Sequence, residues 1–271
     1  MNAIENQIEA YIRYPESLTE EEKREIRKQI DTDTEVAASY AWFAGFYRAY
    51  DDLRENRKPG KKPDSVIKLI PLEEDPGAER NRFVLAAQSS DSNGAAIDTV
   101  RTFASEEHRM LLRALHYKNK DEVRIHVLSE QIEKDDVILF DVPEESLLMV
   151  TSPGGKLSAD TKDIQPEIVK NWKACTVHLP VCRVNGFGKK RPGSGYLAGK
   201  SVFSDEIIPI EMEVGDNKVE ISPILESSDT VCKHLVVYKN NQSTIIKMNN
   251  GMAVLPMEVL ENDEIRLFFY N

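Results

Sequence analysis

Long apolar runs are missing from this sequence: no window approaches the roughly twenty residues that a membrane-spanning helix needs. The first thirteen residues are broken by glutamate and arginine and contain no apolar core, so they do not read as a secretory leader. The expected compartment is therefore the cytoplasm, with no membrane partner. Cysteine is scarce. The three present, Cys175, Cys182 and Cys232, are odd in number and lack metal-ligand spacing, so they read as buried, reduced thiols. Positive charge is also in deficit, with 35 Lys and Arg against 46 Asp and Glu, a net charge of -11 and a pI near 5.1. That balance opposes binding to nucleic acid and to anionic lipid, and it suits a partner that is itself basic. Internal repeats and low-complexity tracts are absent as well.

What is present is globular: 41% hydrophobic and 30% charged residues at a mean hydropathy of -0.44, enough apolar material for a core. Three helices are predicted in residues 1–57. In the first, Ile4, Ile8, Tyr11 and Ile12 recur at helical spacing until Pro15. The second begins at Thr19, whose Glu22 three positions on makes a capping box, and carries Ile26 and Ile30. Asp33 caps a third, longer helix that is apolar around most of its circumference. Two short helices cannot cover its whole ring of Trp42, Phe43, Phe46, Tyr47 and Tyr50. The surplus calls for burial either by later parts of the chain or by another protein.

Residues 58–65 read as a Pro- and Lys-rich linker, and everything after them has strand texture. A β-rich domain is expected over 66–184, including a hairpin across Lys118-Asn119-Lys120-Asp121. His178 and Pro180 suggest an edge or end in its last strand. Residues 185–200, rich in glycine, read as an exposed loop in which Lys189, Lys190 and Arg191 form a candidate cleavage or regulatory site. Beyond it, residues 201–271 carry short strands punctuated by Asn and Gly turns, the pattern of a small antiparallel, Ig-like sandwich.

Catalytic signatures are weak. Gly195-Tyr196-Leu197-Ala198-Gly199-Lys200-Ser201 approaches a phosphate-binding loop but is one residue short between its glycines, and strand-like sequence follows it. The five histidines are scattered singly; His116 and His126 are expected to face each other across the hairpin, without further metal ligands. The paired carboxylates read as loop solvation. No enzyme, metal or cofactor is expected.

The head resembles the N-terminal domain of bacterial anti-sigma factors. The residues that carry the likeness are Ile8-Glu9-Ala10-Tyr11-Ile12, Ser17-Leu18-Thr19-Glu20-Glu21-Glu22, Ile26, Ile30 and Asp33-Thr34-Glu35-Val36, and the match covers roughly a fifth of the chain. The positions of the His-x3-Cys-x2-Cys motif of the zinc-binding branch are Gln29, Asp33 and Val36 here, so the resemblance is to the zinc-less branch. It implies a soluble transcription regulator that sequesters a group IV sigma factor by occlusion. The implied contact residues are Ile8, Tyr11, Ile12, Tyr40, Trp42, Phe43, Phe46, Tyr47, Tyr50 and Leu53. The β modules would sense or dock, and a regulatory protease would release the partner. The combined expectation is an α+β multidomain chain: a three-helix anti-sigma-like unit, a mostly antiparallel β domain and a C-terminal sandwich. Alternatives are a non-catalytic adaptor or protease-substrate subunit that binds another helical protein, and a hydrolase hidden in the middle β domain.

Overall fold

The computed structural model describes residues 3–13, 15–55, 64–72, 97–105, 107–129, 131–133, 135–187, 194–204, 206–225, 231–260 and 265–271. Its chain divides into two compact units, each assembled from separate stretches of sequence: 1–59, 69–130 and 156–174 in the first, 60–68, 131–155 and 175–271 in the second.

The first unit begins with α1 (Ala3–Arg13), α2 (Glu20–Thr32) and α3 (Thr34–Glu55). Thr19 and Glu22 close a reciprocal capping box at the start of α2, so two otherwise orphaned amides gain partners. The Val36 amide donates to the Asp33 carboxylate at the start of α3. The sheet uses the Leu69–Pro71 end of β1 (Val66–Pro71), then β2 (Ile97–Ser105), β3 (Met110–Tyr117), β4 (Glu122–Ser129) and β7 (Lys156–Asp160), all antiparallel in that order. The β3–β4 hairpin forms across Lys118–Lys120 and Asp121, which adopts a left-handed conformation. Helix α4 (Pro166–Asn171) ends at Trp172, which is buried beside Phe103 of β2.

In this unit α1 to α3 are not a separate body. Ile8, Val36, Phe43 and Tyr47 share one core with Ile97, Ala104, Leu111, Leu115 and Tyr117 of β2 and β3. The expected three-helix domain followed by independent β modules is thereby overturned. The molecule is mostly antiparallel β, and its helices serve as a cover for one sheet face. The physical reason is the apolar circumference of α3, which a β-sheet face satisfies better than two short helices.

The second unit contains the Val66–Lys68 end of β1 with β5 (Leu139–Val142), β6 (Leu147–Val150) and β8 (Cys175–His178), in the order β6-β5-β8-β1. His178 does mark a strand end, but β8 lies inside its sheet and not at the edge. A second sheet has eight strands: β9 (Cys182–Phe187), β10 (Gly195–Ser201), β11 (Ile207–Val214), β12 (Lys218–Pro223), β13 (His234–Lys239), β14 (Gln242–Lys247), β15 (Ala253–Pro256) and β16 (Ile265–Tyr270). Their order is β14-β13-β16-β9-β10-β11-β12-β15, and the two end strands approach one another, so the sheet curls toward a barrel. The short helix α5 (Met257–Leu260) follows β15.

The expected small sandwich over 201–271 is corrected by this topology. β9 and β10 sit in the middle of the same sheet, and one core of Cys182, Ile210, Ile221, Leu235, Leu267 and Phe269 fills its inside. Most of the glycine-rich stretch is strand, because Gly199 lets β10 approach closely: a Cβ there would fall 2.3 Å from the Cys182 Sγ. The Asn240-Asn241 turn is a two-residue hairpin with both φ positive, at 51° and 60°, as its sequence predicts.

Candidate functional site

Alternation along the strands of the curled sheet sends one set of side chains inward and the other outward. Leu235 and Val237 of β13, with Leu267 and Phe269 of β16, point into the core, while Val236, Tyr238, Phe268 and Tyr270 point out. That outward set is covered by Val137, Leu139, Leu148 and Val150, around β5 and β6. Polar anchors hold the cover in place. The Tyr270 hydroxyl donates to the Val137 carbonyl at 2.6 Å, and Arg266 donates to the Asp135 carbonyl at 3.3 Å. Arg183 of β9 donates to Asp136 at 2.9 Å and to Glu133 at 2.5 Å. Burial pushes the fully buried Asp136 carboxyl upward despite the guanidinium beside it.

The cover stops at Arg183. From its neighbour Lys200 on β10, across β11, β12 and β15, the outer face is open. Tyr196 is 69% exposed and Ile207 is 71% exposed; Ile224, beside Pro209, is exposed too, as are Met252 and Val254 across β12. Register places Tyr196 opposite Glu211, Glu213 opposite Glu220, and Glu220 opposite Val254. The result is a surface on which exposed apolar side chains stand among carboxylates and two lysines, Lys200 and Lys218, the second of them paired with Glu220 at 2.6 Å. Nothing in the sequence marked it, because Tyr196 lay within a glycine-rich stretch that read as a loop.

The helical residues implied as contacts are placed differently. Ile8, Phe43 and Tyr47 are buried in the first unit's own core, and Tyr11, Ile12 and Tyr40 are half-buried. The side chains of Trp42, Phe46, Tyr50 and Leu53 lie outside the described residues, as do Lys189, Lys190 and Arg191. Under the helices, a polar row crosses the sheet from Arg113 through His126 to Lys156. Glu9 of α1 pairs with Lys156 and accepts from the Tyr47 hydroxyl, and the Phe43 ring meets His126 edge-on at 5.8 Å. Both Glu9 contacts help tie α1 and α3 to the sheet.

The histidines do not pair as expected. His126 stands opposite Arg113, and His116 opposite Val123. Burial, then the charges of Arg124 and Arg113, push the His126 ring down to about 3, from an ordinary 6.5. A depressed folded-state value means stability that is fully present above pH 6.5 and lost as pH falls toward 3. Unfolding titrations are expected to show this loss in the wild type. In His126→Gln, the slope of stability against pH in that window should be shallower, and an unchanged slope would assign the acid lability to other groups.

Cys182 and Cys232 are pushed up to about 12 by burial, so both are thiols at neutral pH and poor nucleophiles. Gly195 to Ser201, the segment that approaches a phosphate-binding loop, is strand β10, without the strand-to-helix turn that phosphate binding needs. Among the described residues, no group of three or more His, Cys, Asp or Glu side chains gathers to hold a metal ion, and no helix is long and apolar enough to cross a membrane. No model of a known protein family matches the chain, and no curated protein is detectably similar to it.

Proposed function

We propose that this chain is a regulatory protein-binding module whose contact surface is the uncovered outer face of β10, β11, β12 and β15. The observation that carries this reading is the exposure of Tyr196 and Ile207, at 69% and 71%, on the same face as Glu211 and Glu213. An aromatic anchor among carboxylates fits a partner surface that presents apolar pockets with a basic rim. The net charge of -11 favours encounter with such a partner.

A sigma factor is the partner class for which the resemblance of the head argues, since its polymerase- and DNA-binding faces are basic. Sequestration through the helices themselves has less support. Three of the side chains implied for it are spent on the first unit's core. The test is co-expression with a group IV sigma factor of the source organism, followed by size exclusion. A stable complex is expected from the wild type. Tyr196→Asp and Ile207→Asp should each weaken it by at least roughly tenfold, while changing stability by less than about 0.5 kcal/mol. Absence of any complex removes the sigma factor as partner; a complex that survives both substitutions removes this face as the contact surface.

A further inference from the structure

Among the described residues, β6, β7, β14 and β15 stand last in their strand orders, and three of them carry charged, polar or proline residues that oppose edge pairing. β7 is Lys-Leu-Ser-Ala-Asp, with a charge at each end; β14 contains Gln, Ser, Thr and Lys; β15 ends in Pro256. β6 is different. Only its shortness blunts it: its four residues, Leu147, Leu148, Met149 and Val150, are all apolar and only half-buried, without charge, proline or bulge.

Pairing parity shows which main-chain groups that edge offers. The Thr151 amide donates to the Ile138 carbonyl at 2.9 Å, which makes 138 and 151 a hydrogen-bonded pair of the β5–β6 ladder. Every second pair is then bonded as well, namely Phe140 with Met149 and Val142 with Leu147. The amides and carbonyls of Leu148 and Val150 therefore point away from β5. Their side chains turn inward against the apolar cluster that includes Val236 and Phe268. The turn leading into β6 carries exposed Glu144 and Glu145.

We propose that the edge of β6, which pairs with no further strand among the described residues, is a docking site for an extended segment of a partner protein, apolar at its centre and basic at the end that meets Glu144 and Glu145. The segment adds a strand beside β6, with main-chain hydrogen bonds to Leu148 and Val150 supplying affinity. Charge decides the occupant: a second copy of this chain would bring another net charge of -11, whereas a basic segment is attracted. This inference is independent of the outer face, which uses side chains of other strands.

The full chain is titrated, by fluorescence anisotropy, with a labelled synthetic peptide of alternating valine and threonine ending in two lysines. Binding is expected for the wild type and for Leu148→Ala, which keeps the outward amide. Leu148→Pro removes that amide without touching a β5–β6 hydrogen bond, and should weaken binding by roughly tenfold or more. Thermal melts of the two variants check that both are folded. Replacing the peptide's lysines by glutamates should also weaken binding. The proposal is overturned by no binding to the wild type, by equal affinity of Leu148→Pro and Leu148→Ala, or by indifference to the peptide's charge. It is overturned too if the chain dimerises in the absence of peptide and Leu148→Pro abolishes the dimer, since a second copy would then own the edge. Because Tyr196→Asp and Ile207→Asp leave β6 unchanged, peptide binding should survive in both, which separates this site from the outer face.

Discussion

Replacing Phe43 by Ala is expected to destabilise the first unit by about 3–5 kcal/mol, the range for removing a fully buried aromatic ring. The ring is 1% exposed, stacks on Tyr47 with centroids 6.2 Å apart, and meets the edge of His126 on β4. Removing it withdraws apolar contacts and leaves a cavity between α3 and the sheet. The cavity cannot collapse easily, because Ile8 on one side and Leu111 and Leu115 on the other are fixed by their own packing. The measurement is denaturant unfolding combined with amide exchange. If α1 to α3 are a cover for the sheet, protection should fall in β3 and β4 as well as in the helices. A loss below about 1 kcal/mol, or exchange that quickens in α3 alone, would mean a helical head that folds by itself.

The second large effect is expected at Arg183. Its side chain is 9% exposed, and its guanidinium bonds to Asp136, whose side chain is 1% exposed, and to Glu133. Arg183→Met keeps the volume of the stem but leaves a buried carboxylate without its cation, a change that costs about 3–5 kcal/mol. The double variant with Asp136→Asn should recover much of that loss, because a neutral amide needs no cation. The pH dependence has a definite sign. Burial raises the Asp136 carboxyl above its unfolded value, so its contribution is fully present at low pH and is lost as pH rises through the folded value. Arg183 moderates that loss in the wild type. The deficit of Arg183→Met relative to wild type should therefore be greatest at neutral pH and shrink on acidification. A deficit that stays constant with pH would show that the pair acts only by packing.

Arg183 also explains why only part of the outer sheet face is open. Together with Arg266 and the Tyr270 hydroxyl, it holds the segment from Glu133 to Leu139 over β13 and β16. Tyr196 and Ile207 lie beyond that cover, and so remain exposed. Undocking the segment would extend the apolar face, so variants at Arg183 are unsuitable as controls for partner binding.

Local patterns carried what local physics decides. The capping box at Thr19 and Glu22, the turn at Asn240-Asn241, and the hairpin between β3 and β4 all follow from interactions between residues a few positions apart. Such signals survive in any tertiary setting, since the atoms that make them are neighbours in sequence. The histidine pairing failed for a related reason. The hairpin formed in the register its turn implies, with Tyr117 opposite Glu122, and that register by itself sets His116 opposite Val123 and His126 opposite Arg113, three positions from His116.

The candidate surface was not legible at all. Whether Tyr196 is loop, core or surface depends on β9 and β11 as its neighbours, and on how far the cover from β5 and β6 extends. Likewise, the wide apolar circumference of α3 announced that something must bury it, and composition was neutral as to what. By itself, the sequence determined an acidic chain with capped helices, punctuated strands and more aromatic surface on α3 than its companion helices hide. Only the tertiary structure decided that a sheet face buries Phe43 and Tyr47, that β9 and β10 join the C-terminal strands, and that Tyr196 and Ile207 are left in solvent. Burial is a property of pairs of surfaces, and a single segment specifies only one member of each pair.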